Sequence, residues 1–117
     1  DRPAMAAFNR AVPKAAGFPY YDVVLDPGPH RIDPRYDGMD WTLKQMVAAE
    51  TGQPADQVKT DGLITVSCQA FGDRLATWPS DHAGMINDGL SSTRFDAHRA
   101  HLELVMALEA RAAKGHP

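Results

Sequence analysis

The sequence predicts an α/β chain, and three observations carry that expectation. Residues 20–25 form a largely apolar run of aromatic and β-branched residues between Pro19 and Pro27, the pattern of a strand buried on both faces in a parallel sheet. Residues 3–12, 41–50 and 94 to about 113 repeat apolar side chains at the 3, 4 spacing of a helix face. Asp61-Gly62 then opens a further apolar, partly β-branched run at Leu63, Ile64 and Val66. One strand needs neighbours to make a core, and this chain offers few.

Composition narrows the function. With 117 residues the chain can build one domain with a modest core. Its 12 Lys plus Arg stand against 15 Asp plus Glu, a formal net charge of −3 with no basic cluster. That balance argues against a nucleic-acid or membrane-surface binder. No apolar run approaches the ~18 residues needed to span a bilayer. Cys68 is the single cysteine, so no disulfide forms within the chain, and a lone thiol is expected to be buried. No signal-peptide pattern, repeat or low-complexity tract is seen, and a mature or truncated chain would have lost a signal peptide. The chain begins Asp1-Arg2-Pro3 without an initiator Met, which points to a piece cut from something longer.

The elements follow in order. Pro3 suits a first helical turn, where its missing N–H would go unpaired anyway. Met5, Phe8 and Val12 then mark a core-facing stripe that ends at Pro13 and Gly17. Residues 26–40, rich in Pro, Gly, Asp and Arg, read as a long loop with His30 and Asp33 solvated. Asp40 is the expected N-cap of a helix over 41–50, with Gly52 past its end and Leu43, Met46 and Val47 packed in the core. Cys68, Phe71, Leu75 and Trp78 fall at helical spacing, but residues 74–78 read equally as a short strand; periodicity leaves both open. Residues 79–82 form a turn. Ser91, Ser92 and Thr93 offer caps for a last helix whose apolar residues are Phe95, Leu102, Val105, Met106 and Ala110, with His98 and His101 on its surface.

The chemistry concentrates between Asp61 and His82. Attack on an ester by a serine needs a base of near-neutral pKa, a carboxylate that holds the base's tautomer, and N–H donors for the oxyanion. An Asp on a tight turn just after a strand, with a His on a loop some twenty residues later, can supply the first two. Gly62 lets the chain turn sharply after Asp61.

Several segments strengthen this reading together. They are Asp61-Gly62-Leu63-Ile64, the small-residue segment ending in Phe71-Gly72, Asp81-His82, and Ile86-Asn87, preceded by Met5–Pro13 and Tyr20-Tyr21. Their order resembles the C-terminal part of the α/β-hydrolase lipases, the secreted bacterial triacylglycerol lipases. The resemblance implies Asp61 as the orienting acid and His82 as the general base of a Ser-His-Asp triad. That family runs Ser, Asp, His along the chain, so residues 1–117 would be the C-terminal portion of one α/β-hydrolase domain. A separate N-terminal chain would bring the nucleophilic Ser, the oxyanion hole and most of the sheet. The substrate would be a carboxylic ester, either a lipid or a polyester, met outside the cell or in the periplasm. No cofactor is implied.

The departures are specific. No G-x-S-x-G surrounds Ser67, Ser80, Ser91 or Ser92, and no HGGG-like loop occurs. The neighbourhood Ala83-Gly84-Met85 does not carry over the family's structural calcium, and residues 26–60 form a loop-and-helix insertion without a family pattern. Asp37, also followed by Gly, is the rival acid, though it precedes a helix. Asp81 adjoins His82 too closely to orient the same ring and reads as a turn residue. Two other classes compete. One is a non-catalytic α-rich interaction domain; the other is a small metal enzyme, disfavoured because the five His lack ligand spacing.

Overall fold

A computed structural model of the chain describes residues 2–29, 32–86 and 94–115. His30, Asn87 and the cap at residues 91–93 lie outside the described residues. The architecture is α/β. Strand β1 (Tyr21–Leu25) pairs in parallel with β2 (Asp73–Trp78), and helices α1 (Arg2–Ala11), α2 (Asp37–Thr51) and α3 (Ala97–Ala113) lie outside this two-stranded sheet. The stretch for which periodicity allowed helix or strand divides into a short 3-10 turn, Val66–Gln69, and β2.

Backbone bonds close the strand pair at both ends. Asp73 donates its N–H to the Tyr20 carbonyl at 2.8 Å, and Asp26 donates to the Trp78 carbonyl at 3.0 Å. Between them the register skips Leu75, so Val23 faces Ala76. Asp22 ties the start of β2 to β1. One of its oxygens accepts the Phe71 and Gly72 N–H groups, each at 3.0 Å, and the other accepts Arg74 Nε at 2.7 Å. Those N–H donors, with the Arg74 guanidinium, hold the Asp22 carboxyl below the usual carboxylate range.

The core is small. Leu25, Trp78 and Ala100 form its centre, with Val23, Ala76, Met85, Phe95 and Leu104 packed around them. Helix α3 meets the sheet through small residues, with Ala97 and Ala100 buried, and Trp78 stacks against Phe95 and His101. Its N-cap is Asp96, which accepts the Arg99 N–H at 3.0 Å. Described helix therefore begins three residues later than the expected position 94.

Helix α2 also departs from expectation, starting at Asp37 rather than after Asp40. A 3-10 turn, Pro34–Tyr36, leads straight into it, so Asp37 and Asp40 both sit in its first turn, where the helix dipole favours negative charge. The expected stop holds: Gly52 takes φ 72° and donates to the Ala48 carbonyl at 2.9 Å. Asp33 is not solvated. It is 2 % exposed, caps the 3-10 turn through the Arg35 N–H, and grips the Arg35 side chain with both oxygens. The guanidinium and that N–H draw its carboxyl below the usual range.

The larger correction concerns the apolar stripes. Phe8 and Val12 on the α1 side are exposed, α2 buries no residue, and Leu102, Val105 and Met106 on α3 face outward. Cys68, expected to be buried, is exposed as well. The accessible surface totals 8075 Å², against roughly 6,200 Å² for a compact monomer of this mass. Helical periodicity reports apolar spacing but not cover: Met46 too is exposed, Leu43 and Val47 are half-buried, and α3 packs on the core through Ala97, Ala100 and Leu104. No helix among the described residues is long and apolar enough to cross a membrane.

Two tests follow from the strand pair and its caps. A Cβ on Gly72 would lie 2.1 Å from the Tyr20 carbonyl oxygen, which is backbone and cannot swing away. Gly72→Ala should lower unfolding free energy by about 1–3 kcal/mol or more. Gly38→Ala meets nothing within 4 Å in α2 and should stabilise by about 0.5–1 kcal/mol; urea midpoints give both signs. Because the Asp22 and Asp33 carboxyls titrate low in the folded chain, their contribution is complete above the unfolded value of about 3.9 and lost as pH falls through the folded values. Urea midpoints between pH 2 and 6 should therefore fall less steeply toward acid in Asp22→Asn and Asp33→Asn than in the native chain. An unchanged acid limb would assign it to other carboxylates.

Candidate functional site

Three loops converge beyond the carboxyl ends of the two strands. The first is a tight loop closed by an antiparallel bridge between Thr60 and Thr65. Asp61 begins it, donating its N–H to the Ile64 carbonyl at 3.0 Å, while its Oδ1 accepts the Leu63 and Ile64 N–H groups at 3.0 and 2.8 Å. The Asp thus folds the loop around its own carboxylate. Gly62 takes φ 107°, in the left-handed half of backbone space, and a Cβ there would come within 2.9 Å of Ile32 and 3.0 Å of Tyr36. The expected sharp turn at Gly62 is present, and its close packing is a second reason for glycine. Asp61 follows this bridge rather than a strand. Thr60 anchors the loop to α2 through a hydrogen bond from its hydroxyl to Asp40.

The second loop carries His82. After β2, Pro79 ends the strand and Ser80 turns the chain back, donating its N–H to the Trp78 carbonyl at 2.8 Å. His82 then docks on Asp61 twice: its backbone N–H donates to the Asp61 carbonyl at 2.8 Å, and Nδ1 lies 3.0 Å from Asp61 Oδ2. The Asp61 side chain is 2 % exposed and the His82 ring 28 %. A buried carboxylate accepting from Nδ1 selects the tautomer with its proton there, leaving Nε2 as the acceptor. Nε2 has no hydrogen-bond partner among the described residues.

The third loop is the 3-10 turn after Asp33. Tyr36 stands edge-on to the His82 ring, with centroids 6.2 Å apart and planes at 84°. Beside the Asp61–His82 pair opens a hollow of about 230 Å³ walled by Val23, Leu25, Ile64, Trp78 and Met85. Gln69 closes one side of it, its amide accepting the Leu25 N–H at 2.7 Å and donating to the Leu25 carbonyl at 3.1 Å. Apolar walls with one base at the rim suit a hydrocarbon group whose reacting end reaches the imidazole.

The sequence-derived residues are placed as follows. Asp61 and His82 meet. Asp37 lies instead in the first turn of α2, lining a separate polar cleft of about 710 Å³ with Asp26, Asp40, Lys44, Asp56 and Lys59. In that cleft Asp26 pairs with Lys59 at 3.0 Å and Asp40 with Lys44 at 2.7 Å. Asp81, read as a turn residue, points away from the imidazole: Oδ2 accepts the Asp33 N–H and Oδ1 the Gly84 N–H, each at 2.8 Å. Among the described residues no group of three or more His, Cys, Asp or Glu is arranged to hold a metal.

Sequence reasoning passed over Tyr36 and Gln69 and read Asp33 as a solvated loop residue. Asp33 did carry a signal, since Asp followed by Pro is the signature of a capped first turn. Tyr36 and Gln69 act on partners distant in sequence and carried none. Compared with known protein families, curated proteins and solved structures, the chain matches none of them.

Proposed function

We propose that this chain supplies the acid and base of a serine-type carboxylic ester hydrolase of the α/β-hydrolase kind, Asp61 orienting and His82 transferring protons. A companion chain packed against it would supply the nucleophilic Ser, the oxyanion donors and the rest of the sheet. The observation that carries the reading is the His82 Nδ1–Asp61 Oδ2 contact of 3.0 Å, with Nε2 unpaired among the described residues beside an apolar hollow.

Each step follows from that arrangement. Nε2 takes the proton of the serine Oγ as that oxygen attacks the ester carbonyl, and the carbonyl electron pair moves onto oxygen, held by N–H donors. The ring becomes an imidazolium, whose Nδ1–H keeps its bond to the Asp61 carboxylate. Collapse of the tetrahedral species expels the alcohol, which leaves with the proton from Nε2. Water then repeats the sequence on the acyl-enzyme, releasing the acid and restoring the serine. The hollow favours an acyl or alcohol group rich in hydrocarbon, as in a lipid or a polyester.

The need for a companion also rests on structure. Among the described residues no hydroxyl or thiol is hydrogen-bonded to His82. Ser80 is buried and donates to the Asp81 carbonyl at 2.9 Å, and Ser67 Oγ sits 3.4 Å from Thr65 Oγ1. A parallel pair of strands alone is too small a sheet to stand in water. Phe8, Val12, Leu102, Val105 and Met106 stay exposed, apolar area that a companion surface would cover. The same exposed apolar surface favours a second reading, a non-catalytic interaction domain.

Purified protein should contain a larger accompanying chain by mass spectrometry, and a fluorophosphonate probe should label a serine on it. Asp61→Asn and His82→Ala should each lower kcat on short-chain esters by a factor on the order of 10⁴ while leaving the assembly intact. No labelled serine, together with partner binding unaffected by both substitutions, would replace the hydrolase with the interaction domain.

A further inference from the structure

We infer that Asp81 and Tyr36 are positioning residues for His82, the two contacts through which residues 33–36 hold the imidazole in register with Asp61. The inference rests on the hydrolase reading for its consequence in rate, but its geometry belongs to this chain alone. Asp81 is fully buried, and its carboxylate joins two loops that are far apart in sequence. Oδ2 accepts the N–H of Asp33, 48 residues away, and Oδ1 accepts the N–H of Gly84, both at 2.8 Å. His82 lies between Asp81 and Gly84, so the second bond closes the turn that carries the imidazole. Ser80, also fully buried, donates its hydroxyl to the Asp81 carbonyl at 2.9 Å and stiffens the approach to that turn.

The other end of the clamp is equally defined. Asp33 accepts the Arg35 N–H at 2.8 Å, and its carbonyl accepts the Tyr36 N–H at 2.9 Å, so one short turn fixes where Tyr36 emerges. The Tyr36 ring then presses on Gly62, immediately after Asp61, and meets His82 edge to face. The acid and the base therefore share one wall. Without it, the imidazole keeps its bond to Asp61 but can rock about that bond, carrying Nε2 away from any fixed nucleophile. Misplacement of a catalytic group by about 1 Å costs on the order of 100-fold in rate.

The test uses protein as purified, any accompanying chain included, with ¹⁵N-labelled histidine. Asp81→Asn preserves shape but replaces one acceptor oxygen with an NH₂ facing an N–H; Tyr36→Leu removes the ring from the opposite side. In each variant the His82 Nδ1–H proton resonance should broaden through exchange with water, and kcat should fall about 10–100-fold with KM within twofold. Asp61→Asn serves as the reference in which that Nδ1–H bond is altered directly. A sharp, native Nδ1–H signal and native kcat in both variants would overturn the inference. If Asp81→Asn does not fold, Tyr36→Leu decides it alone. Should native protein hydrolyse no ester, the hydrolase reading fails, while the Nδ1–H signal still decides whether these residues position the ring.

Discussion

The buried carboxylate of Asp61 is the constraint around which the loops at the strand ends are built. Only 1 % of the residue is exposed, so every lone pair it keeps ionised must find a donor inside the chain. Two donors come from its own loop, at Leu63 and Ile64, and can arrive only because Gly62 turns with a positive φ. The third comes from His82, twenty-one residues away. Hydrogen bonds to a charged acceptor contribute about 1.5–3 kcal/mol each, and an uncompensated buried charge costs more than that. The arrangement is therefore stable only when assembled, which ties the His turn to the Asp loop.

That economy extends outward through neighbouring carboxylates. Asp22, Asp33 and Asp81 are all largely buried, and each is spent on backbone N–H groups, two of them also on an arginine. They act as joints between segments: the start of β2 to β1, the 3-10 turn to its own start, and that turn to the His loop. With two strands among the described residues and a small apolar core, the chain gains little from packing. Directional polar joints at the site make up part of the difference, while much of the apolar surface of its helices stays exposed.

Much of this was legible in the sequence. Proline-bounded, β-branched residues at 20–25 read as a strand of parallel type, and Asp61-Gly62 read as a turn that frees a carboxylate. His82 on a Pro-Ser-Asp turn read as a loop histidine. Other features were not legible, for reasons that can be named. The start of α2 was missed because Pro34 begins a 3-10 turn whose last residue passes directly into the helix. Asp33 was taken as solvated because its side chain's partner is an arginine two residues on, and its own N–H donates to Asp81, 48 residues away. The exposed residues of α1 and α2 were taken as core because periodicity reports apolar spacing and is silent on what covers it.

The sequence by itself determined where the turns fall and the type of its clearest elements, the strand at 20–25 and the helices, because these depend on local sterics: proline's fixed φ, glycine's freedom, β-branched stiffness and residue spacing. Tertiary structure alone decided which carboxylate the histidine meets. Asp37, Asp61 and Asp81 are chemically equal in sequence, yet Asp37 opens into a polar cleft and Asp81 turns back onto two loops. Only Asp61 presents an oxygen to Nδ1. That choice is made by long-range packing, since contact between side chains far apart along the chain depends on the path between them and not on either residue's own preference.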